Sequence, residues 1–216
     1  MHMPPDLVIF DCDGVLVDSE TITNRVMQVS LAKYGLSIEF DDLIALFVGG
    51  TMPGVMERAR DMGADLPDAW LDEIYPEMFD ALRTQVEPIK GAIAVLDALD
   101  SAGIPYAIGS NGPHEKMNIT LARCGMAERF KGRVVSRVDV AAGKPAPDVY
   151  LKAASDAGIA PARCVVNEDS GTGAQAGIAA GMFTIGFHEE TPKERLAPIC
   201  NALFDDMADL PKLLGL

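Results

Sequence analysis

Four cysteines in 216 residues, no two of them forming a CxxC pair, are too scattered for a disulfide framework or a zinc cluster. Cys12, Cys124, Cys164 and Cys200 are expected to be reduced and packed as small hydrophobes. Histidine is scarcer still. His2, His114 and His188 give no HxxxH-like ligand spacing, so a histidine-held catalytic metal is a poor fit. No apolar run approaches the roughly 18 residues of a membrane span, and residues 1–6 lack the basic start of a signal peptide. A cytoplasmic location is the expectation. Positive charge is also short: 18 basic against 32 acidic residues leave a formal net charge of −14. Such a surface repels nucleic acid and anionic membrane, so neither is an expected partner. It equally repels a phosphorylated substrate, so any phosphate site must supply its own cations.

Apolar residues, by contrast, make up 49% of the chain, ample material for a core. Short apolar runs at 7–10, 106–109, 134–136, 164–167, 184–187 and 202–204 read as strands covered on both faces, as in parallel sheets. Helical periodicity fills the gaps at 92–102, 115–124, 147–157 and 172–180, each with a glycine at its C-terminal stop. The expected fold is α/β, a doubly wound, Rossmann-like and mostly parallel sheet. One stretch breaks the alternation. After the first strand come four helical segments at 19–34, 40–46, 54–62 and 69–82, with no convincing strand among them. The expected division is a catalytic core of residues 1–16 and 86–216 with an inserted all-helical cap, residues 17–85. An insert there would sit over the carboxyl ends of the strands, where open α/β sheets bind ligands. Trp70, Tyr75 and Phe79 fall at helical spacing and are expected to pack inside it.

The chemistry concentrates at those strand ends. Asp11 and Asp13 close the first strand at i and i+2, so their side chains can converge while Cys12 points away, and Gly14 lets the chain turn at once. Charged residues are rarely buried unless paired. Taken alone, the pair could simply cap a loop. Three later features argue otherwise. Ser110-Asn111-Gly112 ends the second strand with a hydroxyl and main-chain N–H groups able to cradle phosphate. Lys144 stands in the rigid turn Gly143-Lys144-Pro145-Ala146-Pro147 rather than on a solvated helix face. Glu168-Asp169-Ser170 ends the fourth strand with a second acidic pair. All four fall at one edge of the inferred sheet.

In this order the residues resemble the haloacid dehalogenase superfamily, whose motifs read DxDG(T/V), S/T, K and (E/D)D. The resemblance spans nearly the whole chain. The insert after the first motif resembles the helical-cap subfamily I, which includes β-phosphoglucomutase and phosphoglycolate phosphatase. Ser110-Asn111-Gly112-Pro113 with Lys116-Met117, and Asp169-Ser170 with Gly173-Ala174-Gln175 and Ala180-Gly181-Met182, look closest to bacterial 6-phosphogluconate phosphatases. The resemblance implies a Mg²⁺-dependent phosphatase of small phosphorylated metabolites, sugar or sugar-acid phosphates, working through an aspartyl-phosphate and as a monomer or weak homodimer. Asp11 would be the nucleophile and Asp13 the acid and base. Lys144 would be the fixed cation, and Ser110 and Asn111 the phosphate cradle. The metal would be held by Asp11, Asp13 through its carbonyl, Glu168 and Asp169. Glu20, Thr23, Gly50 and Thr51 are the candidate cap contacts with substrate. A β-phosphoglucomutase-like isomerase is the alternative. That family, however, has a histidine where this chain has Thr23, a lysine near Val48 and an arginine near Met52. A phosphoaccepting signalling domain uses similar residues, but on a much shorter chain and without an Asp13-like acid.

Overall fold

The computed structural model describes residues 4–47 and 51–216. Its strands are β1 (Leu7–Phe10), β2 (Val17–Asp18), β3 (Glu87–Pro88), β4 (Tyr106–Ser110), β5 (Val134–Ser136), β6 (Cys164–Glu168), β7 (Phe183–Phe187) and β8 (Ala202–Phe204). Its helices are α1 (Glu20–Lys33), α2 (Phe40–Phe47), α3 (Met52–Asp61), α4 (Trp70–Gln85), α5 (Ala92–Ala102), α6 (His114–Arg123), α7 (Asp148–Asp156), α8 (Gly171–Ala179), α9 (Lys193–Leu196) and α10 (Leu210–Leu214). Two compact units result: residues up to Asp18 together with Glu87–Leu216, and Ser19–Val86.

The first unit is the Rossmann-like core. Six parallel strands run in the order β5-β4-β1-β6-β7-β8. β1 is buried along its whole length, because its LVIF sequence must be covered on both faces and paired on both edges. After β1 the chain builds outward through β4 and β5, then returns to β1's other edge with β6. That reversal makes the carboxyl end of β1 the topological switch point, the place where such sheets open a crevice. On one face Leu7, Ile9 and Val166 pack against Tyr150, Ala153 and Ala154 of α7 and Ala176 of α8. α5 carries its buried Ala92, Val95, Leu96 and Leu99 at the 3–4 spacing of an amphipathic helix, and stops at Gly103 in the left-handed region (φ 68°).

The second unit is the inserted helical cap, α1 to α4. Its core gathers Met27, Leu31, Leu43, Phe47, Trp70 and Ile74. Trp70 is fully buried and its indole N–H donates to Ser30 Oγ at 2.9 Å, satisfying the one polar atom that burial would strand. Tyr75 does not pack inside as its spacing suggested: it is 36% exposed, because α4 turns that face to solvent. α4 runs on beyond the expected residue 82, to Gln85.

Two features were absent from the sequence reading. β2 and β3 pair antiparallel as a two-residue ribbon, with Asp18 opposite Glu87; α9 and α10 are short helices near the C-terminus. Among the described residues no helix is long and apolar enough to cross a membrane.

Candidate active site

The registers of β1 with its neighbours bring three strand ends level, since Phe10 stands opposite Ile108 of β4 and Asn167 of β6. The residues one or two positions further on must therefore share one rim. Asp11 is anchored there by its main-chain N–H, which donates to Asn167 O at 3.0 Å, and its residue is 9% exposed. Beyond it the chain reverses tightly: Gly14 has φ 75° and donates to Val17 O at 2.9 Å. A Cβ on Gly14 would overlap the Asp169 carboxylate, so the first acidic loop and the second lie in direct contact.

Lys144 links them. Its Nζ lies 2.7 Å from Asp11 Oδ1 and 2.6 Å from Glu168 Oε1, with the lysine side chain 4% exposed. Glu168 is saturated with donors. Oε1 also accepts from Tyr150 OH at 2.7 Å, and Oε2 accepts from Ser170 N and Ser170 Oγ, both at 2.9 Å. A Cβ on Gly173 would overlap Glu168, so α8 can start this close to β6 only with glycine there. Oxygens of Asp11, Glu168 and Asp169 all lie within 4.8 Å of one another, a set able to hold a metal ion.

Burial and charge set the acidities. Burial pushes the Asp11 carboxyl up to about 7; Lys144 opposes this, and Glu168 and Asp13 add to it. Burial also pushes Glu168 upward, but the Lys144 charge, with donors from Lys144, Ser170 and Tyr150, brings it below its ordinary range. Lys144 is held above its ordinary value: desolvation is outweighed by its two carboxylate partners. Cys12 is fully buried between the acids, and burial followed by Asp13 and Asp11 raises its thiol well above normal, which leaves it a packing residue.

The remaining expected residues fall as follows. Ser110 is 2% exposed and its Oγ accepts the Gly112 N–H at 3.0 Å. Asn111 turns its side chain onto Lys144, accepting from the lysine's main-chain N–H at 2.8 Å and donating to its carbonyl at 3.2 Å. Asp13 pairs with Lys116, Nζ to Oδ1 2.9 Å. Glu20, Thr23 and Thr51 belong to the helical unit. Glu20 opens α1, Thr23 Oγ1 donates to Ser19 O and Glu20 O at 3.1 Å, and Thr51 caps α3 by accepting from Gly54 N. Gly50, with Val48 and Gly49, lies outside the described residues. Lys116 and Tyr150 carry roles that the sequence reading did not assign. Lys116 was legible in principle as a cation one helical turn past the Ser110 loop, on the same face as buried Thr120. Tyr150 looks like core from its periodicity, and only its hydroxyl shows otherwise.

Comparison with known proteins agrees with this geometry. Residues 5–181 match the family model for haloacid dehalogenase-like hydrolases. The chain is 28% identical over 210 residues to 6-phosphogluconate phosphatase of Escherichia coli K12, covering 96% of this chain and 94% of that protein. It is 34% identical over 190 residues to hexitol phosphatase A of the same organism, covering 87% and 85%. A crystal structure of a haloacid dehalogenase family hydrolase from Deinococcus radiodurans R1, with bound phosphate and sodium, superposes with a TM-score of 0.84 at 35% identity, covering 98% and 96%. The family suggested by the four motifs is therefore the right one: this chain belongs to the haloacid dehalogenase-like hydrolases, as a phosphatase-type enzyme that carries a helical cap.

Proposed function

We propose that the chain is a Mg²⁺-dependent phosphatase of small phosphorylated metabolites, sugar or sugar-acid phosphates, acting through an aspartyl-phosphate on Asp11. One observation carries this reading: a buried aspartate bonded to a buried lysine, inside a group of three carboxylates. The donor set suits a hard divalent ion, being all oxygen. So does the charge balance. Asp11, Asp13, Glu168 and Asp169 face the two ammonium groups of Lys144 and Lys116, an excess of two negative charges that a divalent cation would cancel. Asp11, Asp169 and the Asp13 carbonyl would hold the ion. Both Glu168 oxygens already accept protein donors, which favours a contact through water. The ion would supply positive charge against the repulsion between carboxylate and phosphate, about 4 kcal/mol for unit charges about 4 Å apart at an effective dielectric near 20.

An Asp11 oxygen attacks phosphorus, the ester P–O bond breaks, and Asp13 gives the leaving alkoxide its proton. Asp13 then takes a proton from water, whose oxygen attacks the phosphorus of the acyl-phosphate. The bond to Asp11 breaks, and free carboxylate and inorganic phosphate result. Lys144 holds Asp11 and adds charge at the transferring group. Ser110 Oγ, which accepts from Gly112 N, keeps its own proton to donate to a phosphate oxygen. The likeness to phosphatases of phosphogluconate and hexitol phosphates supports a polyol or sugar-acid leaving group. We assign its selection to the helical unit, with Glu20, Thr23 and Thr51 the residues to vary first. Four free cysteines suit a reducing compartment such as the cytoplasm.

Phosphate release measured over hexose, pentose and hexitol phosphates, 6-phosphogluconate, phosphoglycolate and nucleotides, with and without Mg²⁺, tests the reading. Magnesium-dependent turnover of a sugar or sugar-acid phosphate is expected, and its loss in Asp11→Asn with the fold intact. Substantial turnover by Asp11→Asn would remove Asp11 from the nucleophile role.

A further inference from the structure

Lys144 presents a positioning problem. It lies in a turn between β5 and α7, on a flexible four-carbon stem with many rotamers, yet its ammonium meets two buried carboxylates at hydrogen-bond distance. The ammonium end is held by Asp11 and Glu168. The main-chain end is held by a side chain from a different strand. Asn111 immediately follows β4, and its carboxamide accepts from the Lys144 N–H at 2.8 Å and donates to the Lys144 carbonyl at 3.2 Å. It thus satisfies both main-chain groups of one residue, as a neighbouring strand would. Among side chains only a carboxamide offers a neutral donor and acceptor side by side for this. The turn is shaped to admit it. A Cβ at Gly143 would lie 2.7 Å from Asn111 Oδ1 and 2.9 Å from Arg137 Cγ, and Ala146 N closes the turn onto Gly143 O at 3.0 Å.

We propose that Asn111 is a positioning residue whose side chain fixes the main chain of Lys144 to the end of β4, so that the ammonium reaches Asp11 in register with the Ser110 loop. The sequence placed Asn111 in the phosphate cradle through its main-chain N–H. The side chain is engaged elsewhere, and because substitution keeps the N–H, the two roles separate experimentally. The inference rests on the reading that Lys144 serves phosphoryl transfer.

The test is a double-mutant cycle in the full chain, with Mg²⁺ and the best substrate of the panel. Asn111→Ala is expected to lower kcat by about 10- to 100-fold, the usual range for a supporting residue around a site, with KM little changed. Orthovanadate, which adopts the five-coordinate geometry of the transferring group, should bind more weakly by a similar factor. In a Lys144→Ala background the same substitution should cost nothing further, in turnover or in vanadate affinity. Gly143→Ala approaches the contact from the other side. It should reproduce the kcat loss and likewise lose its effect in the Lys144→Ala background, which covers the case in which Asn111→Ala does not fold. Losses that multiply, a raised KM at unchanged kcat, or full activity in Asn111→Ala would each overturn the proposal. Full turnover by Lys144→Ala would overturn the role of Lys144 itself. An inactive Lys144→Ala beside a fully active Asn111→Ala would sink only the clamp.

Discussion

At Asp11 one carboxyl is asked to be both buried and ionised, and the structure sets these demands against each other. Burial pushes its acidity from an ordinary 3.8 up to about 7, against the pull of the Lys144 ammonium. The sign follows from linkage: stability from this group is full below about 3.8 and is lost as pH rises through about 7. Without metal, Asp11→Asn should therefore gain stability relative to the unsubstituted protein as pH rises from 5 to 8, as read by urea unfolding at each pH. Magnesium, which needs the carboxylate, should bind more tightly as pH rises through about 7, measured by titration calorimetry. Asn167 shows the opposite kind of strain. It is fully buried, and neither its Oδ1 nor its Nδ2 finds a partner among the described residues. An orphaned buried amide costs about 1–3 kcal/mol. Asn167→Leu should raise the urea unfolding free energy by that order, and a loss of stability would mean that the amide has a partner in solution. The sequence marked the acids, Ser110 and Lys144 by type and place. It could not mark Tyr150, because a buried tyrosine is ordinary until its hydroxyl is located, and it marked Lys116 only by its place one helical turn past the Ser110 loop.

Elements were legible where burial is complete. β1, β4 and β6 are buried on both faces, and short apolar runs such as LVIF or CVV bounded by turn residues read as strands of that kind. The β2–β3 ribbon escaped because two residues per strand carry no periodicity, and Glu87 and Asp18 look like loop. α4 runs three residues past the expected 82 because Arg83-Thr84-Gln85 contain no glycine or proline to stop it. β6 and α8 meet closely where Gly173 lies against the Glu168 carboxylate. Gly173→Ala should shift Glu168 and with it the Lys144 ammonium. The expected loss is about 1–3 kcal/mol of stability, as for other overpacked sites, with activity falling by more than that loss accounts for. Wild-type kcat in Gly173→Ala would show that the contact is slack.

At the scale of the whole molecule the net charge of −14 governs approach. A phosphate dianion is repelled until it reaches the local cations Lys144 and Lys116. Added salt screens that field, with a Debye length near 10 Å at 0.1 M. For a substrate whose capture limits the rate, kcat/KM should rise with sodium chloride from low ionic strength, the reverse of an attractive enzyme–substrate pair. A fall at constant Mg²⁺ would place the controlling field at the rim rather than over the surface. The composition announced this repulsion and the need for local cations; under the proposed function the choice of substrate is assigned to the helical unit, whose residues carry no pattern that names a substrate.

Asp18 and Glu87 stand side by side on the β2–β3 ribbon. Everything between them is, topologically, a loop whose two feet touch. The sheet never has to know how long that loop is, because lengthening a closed excursion adds only a slow logarithmic entropy. Evolution could thus exchange or enlarge the helical module while the carboxylates at the strand ends kept their registers.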